Sequence, residues 1–233
     1  MDTQVYGLQL QEDMASSPLL ELVTTLPEEK QHRIGRFVHV EDKVRALGAD
    51  ILSRFLICST LGITNSEISL VQNDYGKPLL KDINHLHFNH SHSGCWVVSA
   101  ISDQLIGIDV ERIHELNLDI AKHCFSAQEF QDLDSLPDNQ SKLEYFYDLW
   151  TLKESYIKAV GMGLSLPLSS FTIRKKGRSI QLTTSNTFNR CSFKQYTADS
   201  SYKISICAQR EQIQDELVLI SEDELYSHFI KYL

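Results

Sequence analysis

W-T-L-K-E-S-Y-I-K-A-V-G-M-G, at Trp150–Gly163, is the stretch that decides the fold of this chain. Its pattern predicts the end of a long helix that covers Gln140–Val160 and stops at Gly161. Glu154 and Lys158 are four residues apart, so they share one helix face. Such a pair is ordinarily a solvated salt bridge, but an acid and a base one turn apart also suit an active site.

G-I-D-V-E-R, at Gly107–Arg112, predicts a strand with two carboxylates on one face. Side chains alternate along a strand, so Asp109 and Glu111 point one way and Val110 points into the core. Taken alone, this pattern also describes a half-exposed sheet face. Together with Glu154 and a nearby ammonium, the two carboxylates suit a bound Mg²⁺ and a phosphate-bearing substrate. The sequence therefore predicts an enzyme.

Composition sets the limits for function. The chain has 233 residues, 42% of them hydrophobic, a formal net charge of −9 and a mean hydropathy of −0.22. An acidic protein is a poor general binder of nucleic acid, and any anion site must rest on a local cluster of cations. The five cysteines are scattered and never form C-x-x-C, which is typical of free thiols in a reducing compartment. With no apolar run long enough to span a bilayer, we expect a cytoplasmic protein without membrane contact.

Helix signals recur along the chain. Pro27, followed by two glutamates, predicts a helix start. A second helix is predicted over Glu41–Leu61, with Gly62 as its C-terminal stop. Ser126 and Glu129 have the spacing of a capping box, which predicts a short helix after them.

Strand signals complete an α+β class. Runs at His85–Asn89 and Trp96–Ile101 predict strands, and Ser102–Gln104 predicts a hairpin turn into Leu105–Val110. After Pro167 the alternating pattern predicts a second antiparallel sheet. We place a boundary near Asp103, which divides the chain into residues 1–104 and 105–233.

Four histidines, His85, His87, His90 and His92, lie within eight residues. Pairs spaced by two could ligate zinc from one strand face. They could equally be hydrogen-bonding residues of a polar strand edge, or one of them could contact phosphate oxygens beside Ser91.

Cations recur in the first predicted helix at Lys30, Arg33 and Arg36, and Arg45 opens the second helix. A charge stripe of this kind is usually solvated surface. In a chain at −9, however, a cluster that opposes the net charge also indicates an anion site.

The ordered motifs resemble the 4′-phosphopantetheinyl transferases of the long, surfactin-synthetase-priming type. They are Gly76-Lys77-Pro78, Phe88-Asn89-His90-Ser91-His92-Ser93-Gly94, Gly107-Ile108-Asp109-Val110-Glu111 and Trp150-Thr151-Leu152-Lys153-Glu154-Ser155-Tyr156-Ile157-Lys158. The resemblance covers about residues 26 to 170. Within it, His90 stands where relatives often have an aliphatic residue.

The resemblance implies transfer of the phosphopantetheine arm of coenzyme A to a serine of an apo carrier protein, with release of 3′,5′-ADP. It implies that Asp109, Glu111 and Glu154 hold Mg²⁺, with Mn²⁺ as the alternative metal. It also implies that Glu154 takes or orients the serine proton and that Lys158, with Asp109, completes the catalytic group. The residues it assigns to coenzyme A are Lys30, Arg33, Arg45, Tyr75, Gly76, Lys77, Pro78, Ser91, His92, Asp109 and Lys158.

The implied fold is a monomer of two similar α+β halves related by a pseudo-twofold axis, with coenzyme A in the cleft between them. The implied partner is a peptidyl or acyl carrier protein. Because such carriers are commonly acidic, like this chain, we expect an apolar docking surface from the segment His114–Leu133, including Phe125. Two other functions are compatible with the residues: a zinc-dependent hydrolase with His87, His90 or His92 at the metal, and a non-catalytic module that binds coenzyme A or the carrier.

Overall fold

The structure is a computed structural model that describes residues 2–177 and 179–233. Helices and strands follow one another mostly in separate runs along the chain, which is an α+β arrangement, as predicted. The helices are α1 (Glu28–Gly35), α2 (Val40–Leu61), α3 (Ala121–Cys124), α4 (Ala127–Asp134), α5 (Asn139–Val160) and α6 (Glu222–Phe229). The strands are β1 (Gln4–Gln9), β2 (Leu70–Gln72), β3 (Pro78–Leu80), β4 (His87–Ser93), β5 (Trp96–Ser102), β6 (Ile106–Arg112), β7 (Thr172–Lys176), β8 (Ser179–Thr183), β9 (Ser192–Tyr196), β10 (Tyr202–Ala208) and β11 (Val218–Ile220).

The first half packs α2 on a four-stranded sheet of order β11-β1-β5-β4. Acidic residues lie in the first turn of α2, and Gly62 ends the helix in a left-handed conformation with φ of 68°. Leu47, Ile51 and Leu52 of α2 are fully buried in the core beneath the sheet. The predicted bounds of this helix are confirmed to within one residue.

The second half packs α5 on a three-stranded sheet of order β6-β10-β9. The long helix covers Asn139–Val160 and is capped by Gly161, so its predicted bounds are confirmed to within one residue. Gly107 allows the close contact of strand and helix, because a Cβ there would lie 2.2 Å from the Ser155 carbonyl oxygen and 2.3 Å from the Ala159 nitrogen. This approach brings the face of β6 that carries Asp109 against α5.

The two sheets enclose a shared apolar layer. Trp96 and Val98 of β5 pack with Ile106, Ile108 and Val110 of β6 in one cluster of buried side chains. Val110 thus points into the core, as predicted. The order of layers is α2, first sheet, second sheet and α5.

Two predictions about connectivity need correction. Ser102–Gln104 is not a hairpin turn, because β6 is hydrogen-bonded to β10 and not to β5. The strands after Pro167 form a β7–β8 hairpin and a separate sheet with β6, not one sheet. The C-terminal segment returns to the first half, where β11 pairs with β1 and Phe229 joins the core around α2. The division into residues 1–104 and 105–233 stays a prediction.

A helix that crosses a bilayer must be both long and predominantly apolar. Over residues 2–177 and 179–233, no helix combines the length and the apolar character needed to cross a bilayer.

Candidate functional site

β4 is an edge strand of the first sheet and lies beside β6 of the second half. We call this boundary between β4 and β6 the seam. β4 presents a different set of side chains to each half. Ser91 and Ser93 bond to carboxylates of β6, whereas His90 and His92 line a cavity of the first half. The alternation follows from the two-residue period of a strand. One strand therefore joins two candidate subsites.

Asp109 and Lys158 are the centre of the carboxylate subsite. The Lys158 ammonium lies 2.6 Å from Asp109 Oδ1 and 2.8 Å from the Ser91 hydroxyl oxygen. Ser91 in turn donates to the same Asp109 oxygen at 2.8 Å. Lys158 is thus held across the seam by β6 and β4, and not by Glu154 on its own helix, the partner that its spacing suggests.

The other two predicted carboxylates lie in the same electrostatic environment. Ser93 donates to Glu111 Oε2 at 2.8 Å. Burial, and then the negative charge of Asp109, raise the pKa of Glu111. Burial, and then Asp109, also raise the pKa of Glu154, while Lys158 lowers it. Three carboxylates with one ammonium form a region in which added positive charge is favourable.

The donor chemistry of this region suits a hard cation. Asp109 Oδ2 is buried and has no hydrogen-bond partner among the described residues, which leaves one carboxylate oxygen available as a ligand. Carboxylate oxygens are the ligands that Mg²⁺ prefers. As placed, however, no three His, Cys, Asp or Glu side chains in the described part of the chain are grouped closely enough to hold a metal ion.

A buried ion pair sets the position of the helix that carries Glu154 and Lys158. The Lys153 ammonium lies 2.7 Å from both carboxylate oxygens of Glu129, and both side chains are fully buried. Lys153 also donates to the Phe171 carbonyl oxygen at 2.7 Å. Glu129 also completes the predicted capping box with Ser126, so the pair ties α4 to the middle of α5.

The second subsite is a cavity of about 570 Å³ in the first half, between α1, α2 and β4. Five residues that the resemblance assigns to coenzyme A lie in its walls: Lys30, Arg33, Gly76, Pro78 and His92. Further charged residues line it as well, namely Glu29, Asp50 and Arg54. Three permanent cations face two carboxylates, so the cavity is positively charged in a protein of net negative charge.

Two of the cavity's cations, Lys30 and Arg54, already have a partner. Lys30 lies 2.7 Å from Asp50 Oδ2, and Arg54 contacts the other oxygen of Asp50 at 3.1 Å. Burial opposes ionisation of Asp50, but Lys30 and Arg54 outweigh it and lower the pKa of Asp50. Arg45 is not among the cavity walls; it is held by Asp42 at 2.6 Å and by the Gly94 carbonyl oxygen at 3.1 Å. Arg36 lines a different groove.

The remaining assigned residues divide into two groups. Tyr75 is exposed and is not among the cavity walls. The Lys77 ammonium points into the second half, where it donates to the carbonyl oxygens of Ile106, Lys158 and Ala159 at 3.1, 2.6 and 3.2 Å. Burial lowers the pKa of Lys77 to about 8. Lys77 therefore joins the two halves, and Gly76 and Pro78 beside it face the cavity.

Several residues of these subsites have no role in the sequence prediction. Ser93, Asp50 and Arg54 are the clearest cases. A signal for Ser93 is present in the sequence: the spacing of Ser91 and Ser93 repeats that of Asp109 and Glu111, as expected for two strands that lie side by side. Asp50 and Arg54, in contrast, look like any helix salt bridge in the sequence.

The histidine run does not form a zinc cluster in the described part of the chain. His90 bonds to Ser53 and shares its cavity with His92 and with cations, which oppose the binding of a metal cation. The zinc-hydrolase alternative therefore has no support in this geometry.

Phe125 is not a docking residue. Its side chain is 3% exposed and packs on Phe146, with a ring-centroid distance of 5.1 Å. In the same segment, Ile120 is 43% exposed. A docking surface over residues 114–133 stays a prediction, and Ile120 is the large apolar side chain there that a partner can reach.

Comparison with known proteins identifies the family. The model described as 4′-phosphopantetheinyl transferase, N-terminal, matches residues 14–104, and the model of the 4′-phosphopantetheinyl transferase superfamily matches residues 105–207. The chain belongs to the 4′-phosphopantetheinyl transferase superfamily and is an enzyme of that class, which confirms the resemblance.

Individual relatives agree with this family. The 4′-phosphopantetheinyl transferase Sfp of Bacillus subtilis (strain 168) is 35% identical over 223 residues, which cover 95% of this chain and 99% of the relative. The transferase gsp of Aneurinibacillus migulanus is 38% identical over 80% of this chain and 78% of its own. The human L-aminoadipate-semialdehyde dehydrogenase-phosphopantetheinyl transferase is 36% identical over 64% of this chain and 52% of its own.

Solved structures show a weaker likeness. The holo-[acyl-carrier-protein] synthase of Thermotoga maritima has a TM-score of 0.39 and 16% identity, and the match covers 46% of this chain and 63% of that one. The holo-(acyl-carrier-protein) synthase of Bacillus anthracis has a TM-score of 0.37 and 20% identity over 44% of this chain and 92% of its own. The family assignment rests on the family models and the relatives, not on these partial matches.

Proposed function

We propose that this enzyme transfers the 4′-phosphopantetheine arm of coenzyme A to a serine hydroxyl of an apo peptidyl or acyl carrier protein, with Mg²⁺ or Mn²⁺ as the metal. The observation that carries the proposal is the alternation of β4, which joins the cationic cavity to the carboxylates and Lys158. The nucleotide end of coenzyme A would then lie on one side of β4, and its pyrophosphate on the other side.

The proposed reaction is a phosphoryl transfer from coenzyme A to the carrier serine. The serine oxygen attacks the pyrophosphate phosphorus that bears pantetheine, and a new P–O bond forms. The bond between that phosphorus and the bridging oxygen breaks, so 3′,5′-ADP leaves. The serine proton passes to a base, for which we choose Glu154. Glu154 belongs to the carboxylate subsite, where the charges of Asp109, Glu111 and Lys158 act on it.

Residues in and beside the cavity would neutralise the negative charge at the nucleotide end of coenzyme A. A phosphomonoester carries about −1.5 to −2 charges near neutral pH. Lys30, Arg33, Arg45 and His92 are the side chains we assign to this charge, with Ser91 between them and Asp109. The segment Tyr75-Gly76-Lys77-Pro78 would border the adenine, and Gly76 and Pro78 of this segment line the cavity. Lys158 would neutralise the pyrophosphate and the departing 3′,5′-ADP.

A metal ion would be held by Asp109, Glu111 and Glu154, and would neutralise charge on the pyrophosphate. The unpartnered Asp109 Oδ2 supports this assignment. Because both subsites lie on one chain, we propose that the enzyme acts as a monomer. The proposal also includes action on the carrier in the cytoplasm, independently of membranes and nucleic acid.

The direct test is intact-mass spectrometry of an apo peptidyl carrier protein incubated with this enzyme, coenzyme A and Mg²⁺. We expect the carrier to gain one phosphopantetheine arm on its serine, and EDTA to abolish the gain. An apo acyl carrier protein and Mn²⁺ provide the second set of conditions. Absence of any gain under all of them would contradict the proposal and favour a module that binds without turnover.

Glu154→Gln separates binding from transfer. We expect the variant to bind coenzyme A but to lose transfer by about 10²–10⁴-fold, the usual contribution of a positioned proton acceptor. Glu144→Gln on the exposed face of the same helix is the matched control and should transfer normally. Near-normal turnover of Glu154→Gln would remove Glu154 from its assigned role.

A further inference from the structure

His90 is a polar residue of the cavity to which the proposed function assigns no task. Its ring lines the cavity with Lys30, Arg33 and His92. The ring is fixed from behind, because His90 Nδ1 lies 2.8 Å from the hydroxyl oxygen of Ser53 on α2.

The hydrogen bonds of Ser53 determine which nitrogen of His90 carries a hydrogen. The Ser53 hydroxyl also lies 2.8 Å from the Ala49 carbonyl oxygen, which can only accept, and 3.1 Å from the Ser99 hydroxyl oxygen. With the Ser53 hydrogen on the Ala49 carbonyl oxygen, Ser53 accepts from His90, and Nδ1 of His90 is the donor. The other ring nitrogen, Nε2, has no hydrogen-bond partner among residues 2–177 and 179–233. In this arrangement, any gain or loss of a proton by His90 takes place at Nε2.

Charged groups from several elements act on this nitrogen. Asp50 of α2 favours a protonated ring, whereas Lys30 of α1, His92 of β4 and Lys158 of α5 oppose it. The other charged residues of the cavity walls are Glu29, Arg33 and Arg54. Burial, together with the cations, lowers the pKa of His90 to about 4. Without a ligand at neutral pH, His90 therefore presents an unprotonated nitrogen to the cavity.

We propose that His90 takes up a proton from solvent at Nε2 when the 3′-phosphate of coenzyme A enters the cavity, and that Nε2 then donates to a phosphate oxygen. This inference rests on the proposed function, because it takes coenzyme A as the ligand. An incoming phosphomonoester brings about −1.5 to −2 charges into a half-buried site. It reverses the local field that keeps His90 neutral, so the protonated ring becomes the favoured form.

The sign of the pH dependence follows from linkage. If the phosphate raises the pKa of His90 in the complex above its value in the free enzyme, binding takes up a proton between the two values. The extra affinity is present below the pKa of the complex and is lost as the pH rises through it. Within this window the affinity changes by at most about tenfold for each pH unit.

The test is isothermal titration calorimetry of the whole enzyme with coenzyme A at pH 6.5, 7.5 and 8.5, in buffers of different protonation enthalpy. We compare the native enzyme with His90→Gln, which keeps a donor toward Ser53 but does not titrate, and with His90→Leu. His85→Gln is the matched control, since His85 is exposed and is not among the cavity walls. At pH 6.5 we expect the native enzyme and His85→Gln to take up roughly half to one proton more than either His90 variant, and we expect this difference to decrease toward pH 8.5.

Dephospho-coenzyme A, which lacks the 3′-phosphate, identifies the group responsible. The native enzyme should lose the additional proton uptake with this ligand. Equal uptake by the native enzyme and His90→Gln, or equal uptake with both ligands, would overturn the role of His90 and leave the proposed function intact. Failure of the native enzyme to bind coenzyme A would instead overturn the proposed function.

Discussion

The two halves of this molecule use the same scaffold for opposite charges. Each has a 22-residue helix, α2 or α5, that packs on a sheet and ends at a left-handed glycine. In the first half the ions Lys30, Asp50 and Arg54 open onto a cavity in which cations exceed carboxylates. In the second half, the ion pair of Lys153 and Glu129 is fully buried. The side that faces β4 carries three carboxylates and one lysine, namely Asp109, Glu111, Glu154 and Lys158.

This difference in charge suits the proposed binding of an anion in the first half and of a metal cation in the second. The helix and sheet of each half provide the same rigid support, while the residues that face the seam differ in charge. The two regions should also differ in how much unfolding free energy is lost when a charged side chain is replaced. Both members of the Lys153–Glu129 pair are fully buried and depend on each other, whereas the Lys30 side chain at the cavity is 31% exposed and keeps contact with water.

The largest stability effect should come from Lys153→Met in the second half. The change leaves the fully buried Glu129 without its cation, which typically costs about 3–5 kcal/mol of unfolding free energy. Urea denaturation measures the loss. The double variant Lys153→Met/Glu129→Gln should recover a large part of it, because the neutral amide can still accept from Ile173 N–H. A loss below about 1 kcal/mol in the single variant would contradict the importance of the pair.

A smaller effect, about 1–3 kcal/mol, is expected from Gly107→Ala. The added methyl group would collide with backbone atoms of α5 at 2.2 and 2.3 Å, so the strand and helix must separate. Because Asp109 and Lys158 meet across this contact, transfer activity should fall as well. Gly35→Ala in α1 is the control, since no atom lies within 4 Å of a Cβ at that position. Urea denaturation and the carrier-mass assay measure both variants, and equal stability of the two would argue against a tight contact.

The smallest stability effect should come from Lys30→Met in the first half. Asp50 keeps Arg54 as a partner, and the Lys30 side chain is 31% exposed, so we expect a loss of about 1 kcal/mol or less. The affinity for coenzyme A should nevertheless fall about tenfold, because a charged hydrogen bond is lost. Calorimetry with Arg36→Met as the control, outside the cavity, checks this. If both variants bind coenzyme A equally well, the cavity is not the site of the nucleotide end.

Local patterns predicted much of this fold correctly. The bounds of α2 and α5, the capping box at Ser126 and the core orientation of Val110 depend on residues that are close in sequence. The family motifs also identified the class of enzyme, because their order and spacing are specific. Each of these features depends on backbone geometry or on side-chain period, and both can be read within about one turn or one strand.

Long-range contacts were predicted less well. The pairing of β6 with β10, the return of β11 and α6 to the first half, and the burial of Phe125 all depend on partners far away in the chain. The same applies to Lys158, whose spacing pointed to Glu154 but whose ammonium lies on Asp109.

The sequence by itself thus determined the class of enzyme, the α+β composition, the two long helices and the residue types needed for phosphate and metal chemistry. Only the tertiary structure decided which of these residues meet. It placed Lys158 on Asp109 and Ser91, directed Lys77 across the seam, and placed His90 against Ser53 in the cavity. The physical reason is that residue spacing sets the direction of a side chain along its own helix or strand, whereas its partner depends on which elements pack together.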